Sequence, residues 1–172
     1  MIKIYEVGFG TGLNALLTAN FIHDTNVKVE YYASEAYPLN LQEIESLNYT
    51  DEMEQNEKEL FFNLHKASWN EKVKISDQFT LCKQQEFLEK RAALNAIDIV
   101  YFDAFAPSAQ PELWSETIFK SINKEMSERG ILVTYCAKGV VKRTLKSSGF
   151  KIEAIPGPPG KREMTRAFVN HE

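Results

Sequence analysis

The sequence predicts an α/β fold: a mostly parallel sheet with helices on both faces, closed by an antiparallel hairpin at one edge. Three observations predict it. Strand-like and helix-like segments alternate from the first residues to about position 150, the pattern of a parallel sheet with crossover helices. Residues 97–102 are almost wholly apolar, as a central parallel strand buried on both faces must be. The last two strand-like segments, 150–155 and 164–169, are joined by the short connection Pro156-Gly157-Pro158-Pro159-Gly160, which suits an antiparallel pair.

The elements follow in order. Residues 3–7 read as a strand, then a glycine turn, then a helix beginning near Leu13 whose apolar members Leu13, Leu16, Leu17 and Phe21 recur at helical spacing. Residues 27–33 form a second strand, rich in Val and Tyr, ending at Glu35. From Leu39 to about Ala67 the pattern is helical and acidic. A short third strand at 78–83 and a short helix at 86–94 precede the apolar strand 97–102, which runs into Asp103 and a loop holding Pro107 and Pro111. A helix over 115–127 stops at Gly130, placed at its C′ position. A strand at 131–135 and a helix at 140–148, stopped by Gly149, lead to the hairpin.

A chain of 172 residues suits a single domain, 1–172. Its 44% apolar content is enough for one sizeable core and argues against disorder. No run approaches the roughly 18 apolar residues of a membrane span, and the N-terminus lacks the pattern of a signal peptide. Cys82 and Cys136 form neither a disulfide framework nor a zinc pattern. Reduced thiols and a cytoplasmic location are therefore expected. The net charge of −4 is uneven: residues 138–172 carry +5 and the first 137 carry −9. That asymmetry permits an anionic partner at the C-terminal end, or a solvated basic face.

The strongest local signal is Glu6-Val7-Gly8-Phe9-Gly10-Thr11-Gly12, between a strand and a helix. Glycines allow a tight turn and close approach to a ligand. The spacing is G-x-G-x-G, whereas a dinucleotide pyrophosphate wants G-x-G-x-x-G, so NAD and FAD are disfavoured. Glu6 is poorly placed for a phosphate and well placed for a cation, such as the amino group of S-adenosylmethionine (SAM). Thr11 or Asn14 would cap the helix if the loop were only structural. Glu35, at the end of the second strand, is placed for ribose hydroxyls. Gln84, Gln85 and Glu86 compete for the adenine side, with Gln85 preferred.

Asp103 falls at the C-terminal edge of the central sheet, where ligands bind in such folds. A carboxylate followed by an aromatic and a proline resembles the arrangement in enzymes that methylate amines. Asp103 or the Ala104 carbonyl would orient a neutral amine, and Asp103 would be the candidate proton acceptor. Tyr135, Cys136 and Lys138, with Lys161 and Arg162 from the hairpin, approach the same edge. The cations suit phosphates, and Tyr135 suits stacking or hydrogen bonding. Cys136 reads as a packed thiol. His23 and His65 read as ordinary helix-surface residues, His171 stands apart, and no metal set is evident.

Taken jointly, the runs EVGFGTGLNALLT, YFDAFAP with QPELW behind it, TYCAKGVVKR and GPPGKREM resemble the methyltransferase part of the MnmC family, also found alone in MnmD-type proteins. The resemblance extends from Glu6 to about Ala167. It implies the class I SAM-dependent, Rossmann-like methyltransferase fold. The implied reaction is methylation of the 5-aminomethyl group of wobble 2-thiouridine in tRNA, giving the 5-methylaminomethyl derivative. It places SAM on Gly8, Phe9, Gly10 and Gly12, with Glu35 at the ribose; Glu6, Asn14 and Gln85 are the further donor-site candidates that the residues themselves offer. It places the amine near Asp103 and the loop from Phe105 to Pro107, and tRNA on the basic C-terminal third, where Tyr135, Lys138, Lys161 and Arg162 are the candidate contacts.

Bifunctional members add a FAD-dependent oxidase, for which 172 residues leave no room. A separate oxidase or pathway enzyme is then expected to supply the aminomethyl group. Members also carry a segment before the glycine-loop strand. This chain begins on that strand, so the domain is expected to lack the usual N-terminal lead-in. The competing readings are a methyltransferase for a small-molecule amine and a non-enzymatic Rossmann-like module that binds RNA or a protein.

Overall fold

The structure, a computed structural model, describes residues 1–170; His171 and Glu172, counted above, lie outside the described residues. The chain runs β1 (Ile2–Val7), α1 (Leu13–Ile22), β2 (Val29–Glu35), α2 (Leu41–Glu45), α3 (Gln55–Lys66), β3 (Lys72–Lys74) and β4 (Phe79–Gln85). It continues through β5 (Ile97–Phe102), α4 (Glu116–Glu125), β6 (Met126–Thr134), α5 (Gly139–Ser147), β7 (Phe150–Pro156) and β8 (Glu163–Val169). The eight strands form one sheet in the order β3-β4-β2-β1-β5-β6-β8-β7. Strands β4, β2, β1, β5 and β6 are mutually parallel, while β3, β8 and β7 pair antiparallel to their neighbours.

Chain order reverses at β1, which lies between β2 and β5. Register places Val7 opposite Phe102, so Gly8 and Asp103 emerge side by side at the carboxyl edge. Asp103 N donates to Val7 O at 3.2 Å. Such a reversal opens the crevice in which doubly wound sheets bind ligands.

Alternation along β1 divides the core between two faces. Tyr5 and Val7 pack with Phe102, Trp114, Phe119 and Leu145 beneath α4 and α5. Ile4 packs with Leu16, Tyr31, Phe61 and Phe79 beneath α1 and α3. Glu6 shares the parity of Ile4 and therefore turns toward α1. Phe102 sits 4.9 Å from Trp114 and 5.0 Å from Phe119, ring centre to ring centre. A fully buried ring of this kind contributes about 1.5–3 kcal/mol through burial alone.

Four local expectations are corrected. The helix expected over 39–67 is two helices joined by a short 3-10 turn at Asn48–Asp51. Each has its own start signal: Asn40 and Glu43 form a reciprocal capping box, and Glu54 N donates to Glu57 Oε2 at 3.1 Å. The helix expected at 86–94 is only the turn Leu88–Lys90. Helix α4 ends at Glu125, and Gly130 lies inside β6, where the pairing with β5 shifts register. A Cβ there would come within 2.9 Å of Ser127 O, so the glycine serves a tight irregularity in the strand and not a helix end.

The fourth correction concerns α1. Ala15, Leu16, Ala19 and Ile22 face the core, but Leu13, Leu17 and Phe21 form an outward stripe, with Phe21 82% exposed. Strand β3, three residues long, was not foreseen; it pairs Val73 with Leu81 at the sheet edge. The hairpin forms as expected, with β8 inserted between β6 and β7.

Candidate active site

A cavity of about 680 Å³ opens at the carboxyl edge over β1, β2, β4 and β5. Its floor is the glycine loop. Gly8, Gly10 and Gly12 all have positive φ, of 87°, 49° and 71°, a region where a side chain is strained. Space constrains two of them further. A Cβ on Gly8 would lie 3.2 Å from Asp103 O, and one on Gly12 would lie 3.0 Å from His65 Nε2. Gly12 also starts α1 with no side-chain cap.

Asn14 is therefore free of the capping role. Its Nδ2 donates to Glu6 Oε1 at 2.8 Å and to Asp103 Oδ2 at 3.1 Å. One amide thus bridges a buried carboxyl and an exposed one. Glu6 is 1% exposed, and burial pushes its carboxyl up to about 8. Its Oε2 and the hydroxyl of neighbouring Tyr31 are both buried without a well-formed hydrogen bond. Burial likewise holds the Tyr31 phenol well above its usual range. Burial thus favours the neutral form of the Glu6 carboxyl.

Glu35 binds the loop from the other side: Oε2 accepts from Gly10 N at 3.0 Å and Oε1 from Tyr37 N at 2.9 Å. Each carboxylate oxygen keeps further lone pairs toward the cavity. Just past the end of β4, the lining holds Glu86 and Phe87, while Gln85 lies outside it and donates its backbone N–H to Asn70 Oδ1 at 3.1 Å. Glu86 Oε1 accepts from Ser34 Oγ at 2.9 Å, and Ser34 Oγ accepts from Tyr5 OH at 3.0 Å. The exposed Tyr37 and Phe87 rings meet edge to face at 5.9 Å.

Phe105, Ala106 and Tyr135 line the opposite wall, and Pro107 does not. Two hydrogen bonds fix that wall. Tyr135 OH donates to Ala104 O at 3.0 Å, and Trp114 Nε1 donates to Phe105 O at 2.8 Å. Lys138, Lys161 and Arg162 are outside the cavity lining; Lys161 Nζ sits over the Tyr135 ring at 4.5 Å. Sequence reasoning missed Tyr37, Phe87, Glu112 and Trp114, and it weighed Glu86 but preferred Gln85. Tyr37 and Phe87 had a signal, as aromatics just past the ends of β2 and β4, whereas the Trp114 contact had none. Cys136 is buried, as expected of a packed thiol.

The charge of the lining is one-sided. Glu6, Glu35, Glu86, Glu89, Asp103 and Glu112 all contribute, and no Lys, Arg or His does. No group of three or more His, Cys, Asp or Glu suited to a metal exists among the described residues. No helix among them is long and apolar enough to cross a membrane.

Residues 32–170 match the model of a family described as S-adenosyl-L-methionine-dependent methyltransferase. The chain belongs to that family. It is 29% identical to the tRNA 5-methylaminomethyl-2-thiouridine biosynthesis bifunctional protein MnmC of Pseudoalteromonas atlantica, over 98% of this chain and 26% of that protein. The MnmC of Leptospira interrogans is 31% identical over 94% of this chain and 26% of its own length. The chain thus spans about a quarter of these relatives. The solved structure of MnmC2 from Aquifex aeolicus superposes with a TM-score of 0.76 at 24% identity, covering 99% of this chain and 55% of that one. A methyltransferase from Pyrococcus furiosus gives 0.61 at 14%, covering 97% and 74%. These likenesses show the class I methyltransferase fold, and the family supplies SAM as the methyl donor of this methyltransferase.

Proposed function

We propose that this chain transfers the methyl group of SAM to the primary amine of a 5-aminomethyl-2-thiouridine at the wobble position of tRNA. The observation that carries the reading is Asp103: it stands beside the glycine loop, tied to Asn14, in a cavity whose ionisable lining holds carboxyl groups and no Lys, Arg or His. Such a lining favours a sulfonium donor and an amine acceptor and disfavours phosphate, by simple electrostatics. The names of the relatives matched over nearly the whole chain supply the tRNA and the modified uridine.

In this reading the glycine loop and Glu35 hold the donor, and Tyr37, Glu86 and Phe87 flank its adenine. Asp103 accepts a hydrogen bond from the amine N–H and orients the lone pair toward the methyl carbon. The new N–C bond forms as the S–C bond breaks and its electron pair returns to sulfur. The nitrogen then releases a proton, for which Asp103 is the adjacent acceptor. The Ala104 carbonyl keeps one lone pair for a second amine N–H beside its bond from Tyr135. Lys138, Lys161 and Arg162, outside the cavity, meet the RNA backbone. A tRNA substrate fits a cytoplasmic reaction.

The test is nucleoside mass spectrometry of tRNA bearing 5-aminomethyl-2-thiouridine after incubation with the chain and SAM. A gain of one methyl on that nucleoside is expected, and its abolition in Asp103→Ala with SAM binding retained. Methyl transfer to free small amines and not to tRNA would replace this reading with its rival. No transfer to either, with SAM bound, would leave a binding module.

A further inference from the structure

Behind the glycine loop, away from the cavity, lies a buried cation that no carboxylate neutralises among the described residues. Lys83, on β4, is 1% exposed. Its Nζ donates to His65 O at 2.8 Å, and its Nζ lies 5.2 Å from the Phe9 ring centre and 4.6 Å from that of Trp69. Desolvation pulls its ammonium down to about 8. A lysine in such a place is costly, so its partners indicate what it does.

Each partner leads to the donor loop. Phe9 is the residue between Gly8 and Gly10. His65 occupies the last turn of α3, where carbonyls are left without helical partners and the helix dipole favours a cation. The same histidine turns its ring to the loop: Nε2 lies 3.1 Å from Thr11 O. A carbonyl only accepts, so Nε2 carries the hydrogen. Its ring stacks edge to face with Phe9 at 5.5 Å and with Phe61 at 4.6 Å, and Gly12 has room for no Cβ against it. His65 is therefore no helix-surface residue, as its sequence position suggested; it is buried, and desolvation lowers its basicity.

We infer that Lys83 and His65 are positioning residues for the methyl donor: the ammonium anchors the end of α3 and the Phe9 ring, and the imidazole holds the Thr11 carbonyl. The loop's three left-handed glycines are thereby fixed from behind, by groups that never touch the donor. The inference rests on the donor-site reading above. It adds that donor affinity depends on a strut running from β4 through α3 to residues 9–12.

The experiment measures SAM binding by titration calorimetry, the thermal midpoint without ligand, and steady-state methylation of tRNA. The variants are Lys83→Met, which keeps length and loses charge, and His65→Phe, which keeps the ring and loses the N–H. Each is expected to weaken SAM binding about tenfold, the size of one hydrogen bond or cation contact. The KM for SAM should rise with it, while kcat at saturating SAM and the KM for tRNA stay within twofold. The midpoint of Lys83→Met should hold or rise, because an unpaired buried charge has been removed.

A merely structural role gives the opposite pattern, a lower midpoint with unchanged SAM affinity in the folded fraction, and would overturn the inference. Should Lys83→Met fail to fold, that too counts against it, and His65→Phe decides the loop contact alone. A wild-type chain that binds no SAM would instead overturn the donor-site reading.

Discussion

Asn14 donates to Asp103 Oδ2 at 3.1 Å, and the same amide nitrogen reaches Glu6 Oε1 at 2.8 Å. Both amide hydrogens are thus committed to carboxyl groups. The orientation of the exposed Asp103 is set by a residue on the first turn of α1, itself held by a buried acid. Asn14→Ala should release Asp103 and lower kcat by about 10- to 100-fold, the scale of misplacing a reacting group by about an ångström. SAM affinity should change much less. Single-turnover methylation at saturating SAM separates the two, and an unchanged rate would show that Asp103 needs no such tether.

Glu6 predicts the pH dependence of stability. Its carboxyl, normally near 4.5, is pushed up to about 8 by burial. Between those values the folded chain holds a proton that the unfolded chain has released. Stability must then fall as pH rises through this window, with this group's contribution fully present below about 4.5 and lost above about 8. Glu6→Gln keeps an acceptor for Asn14 and cannot ionise. Its thermal midpoint should therefore fall less between pH 5 and 8 than that of the wild type. Parallel midpoint curves for the two proteins would contradict this account.

The exposed rings of Tyr37 and Phe87 predict where the adenine sits. Each lines the cavity just after a strand end, and they meet edge to face at 5.9 Å. Exposed aromatics cost little to leave in water but gain by covering a purine face. Phe87→Ala should raise the KM for SAM about tenfold and leave kcat near its original value. A selective loss of tRNA binding instead would assign Phe87 to the RNA.

How much of this was legible in sequence depended on the range of the interaction. Glycine spacing, strand alternation and Asp103 after an apolar strand are local patterns, and they located the sheet and the cavity floor. Asn14 was legible as a polar residue at a helix start, but its two roles, cap or ligand, differ only in what β5 brings beside it. His65 and Lys83 look ordinary in sequence, because a buried polar pair is defined by packing between α3, β4 and the loop. Gln85 was preferred over its neighbours, yet its place outside the lining follows from the end of β4, which sequence places only to within a few residues. On α1, helical period marked Leu13, Leu16, Leu17 and Phe21, of which Leu16 is buried and the other three face outward; period does not say which of two apolar faces meets the sheet.

The C-terminal basic charge predicts a divided salt response. Two of its cations are already engaged, Lys142 with Glu163 and Arg166 with Glu153, each at 2.7 Å. Lys138 and Arg162 form no ion pair among the described residues, and Lys161 rests on Tyr135 at the cavity wall. The RNA backbone should therefore meet Lys138, Lys161 and Arg162, whereas Lys142 and Arg166 brace the hairpin. Each phosphate contact contributes about 0.7 to the slope of log affinity against log salt for single-stranded RNA. Neutralising Lys138, Lys161 and Arg162 together should thus flatten the slope for tRNA by about 2, with SAM affinity unchanged. Neutralising Lys142 and Arg166 should change the slope by less than 1. Equal effects from the two sets would mean that the tail acts as diffuse charge; no effect from the first set would place the RNA on another face.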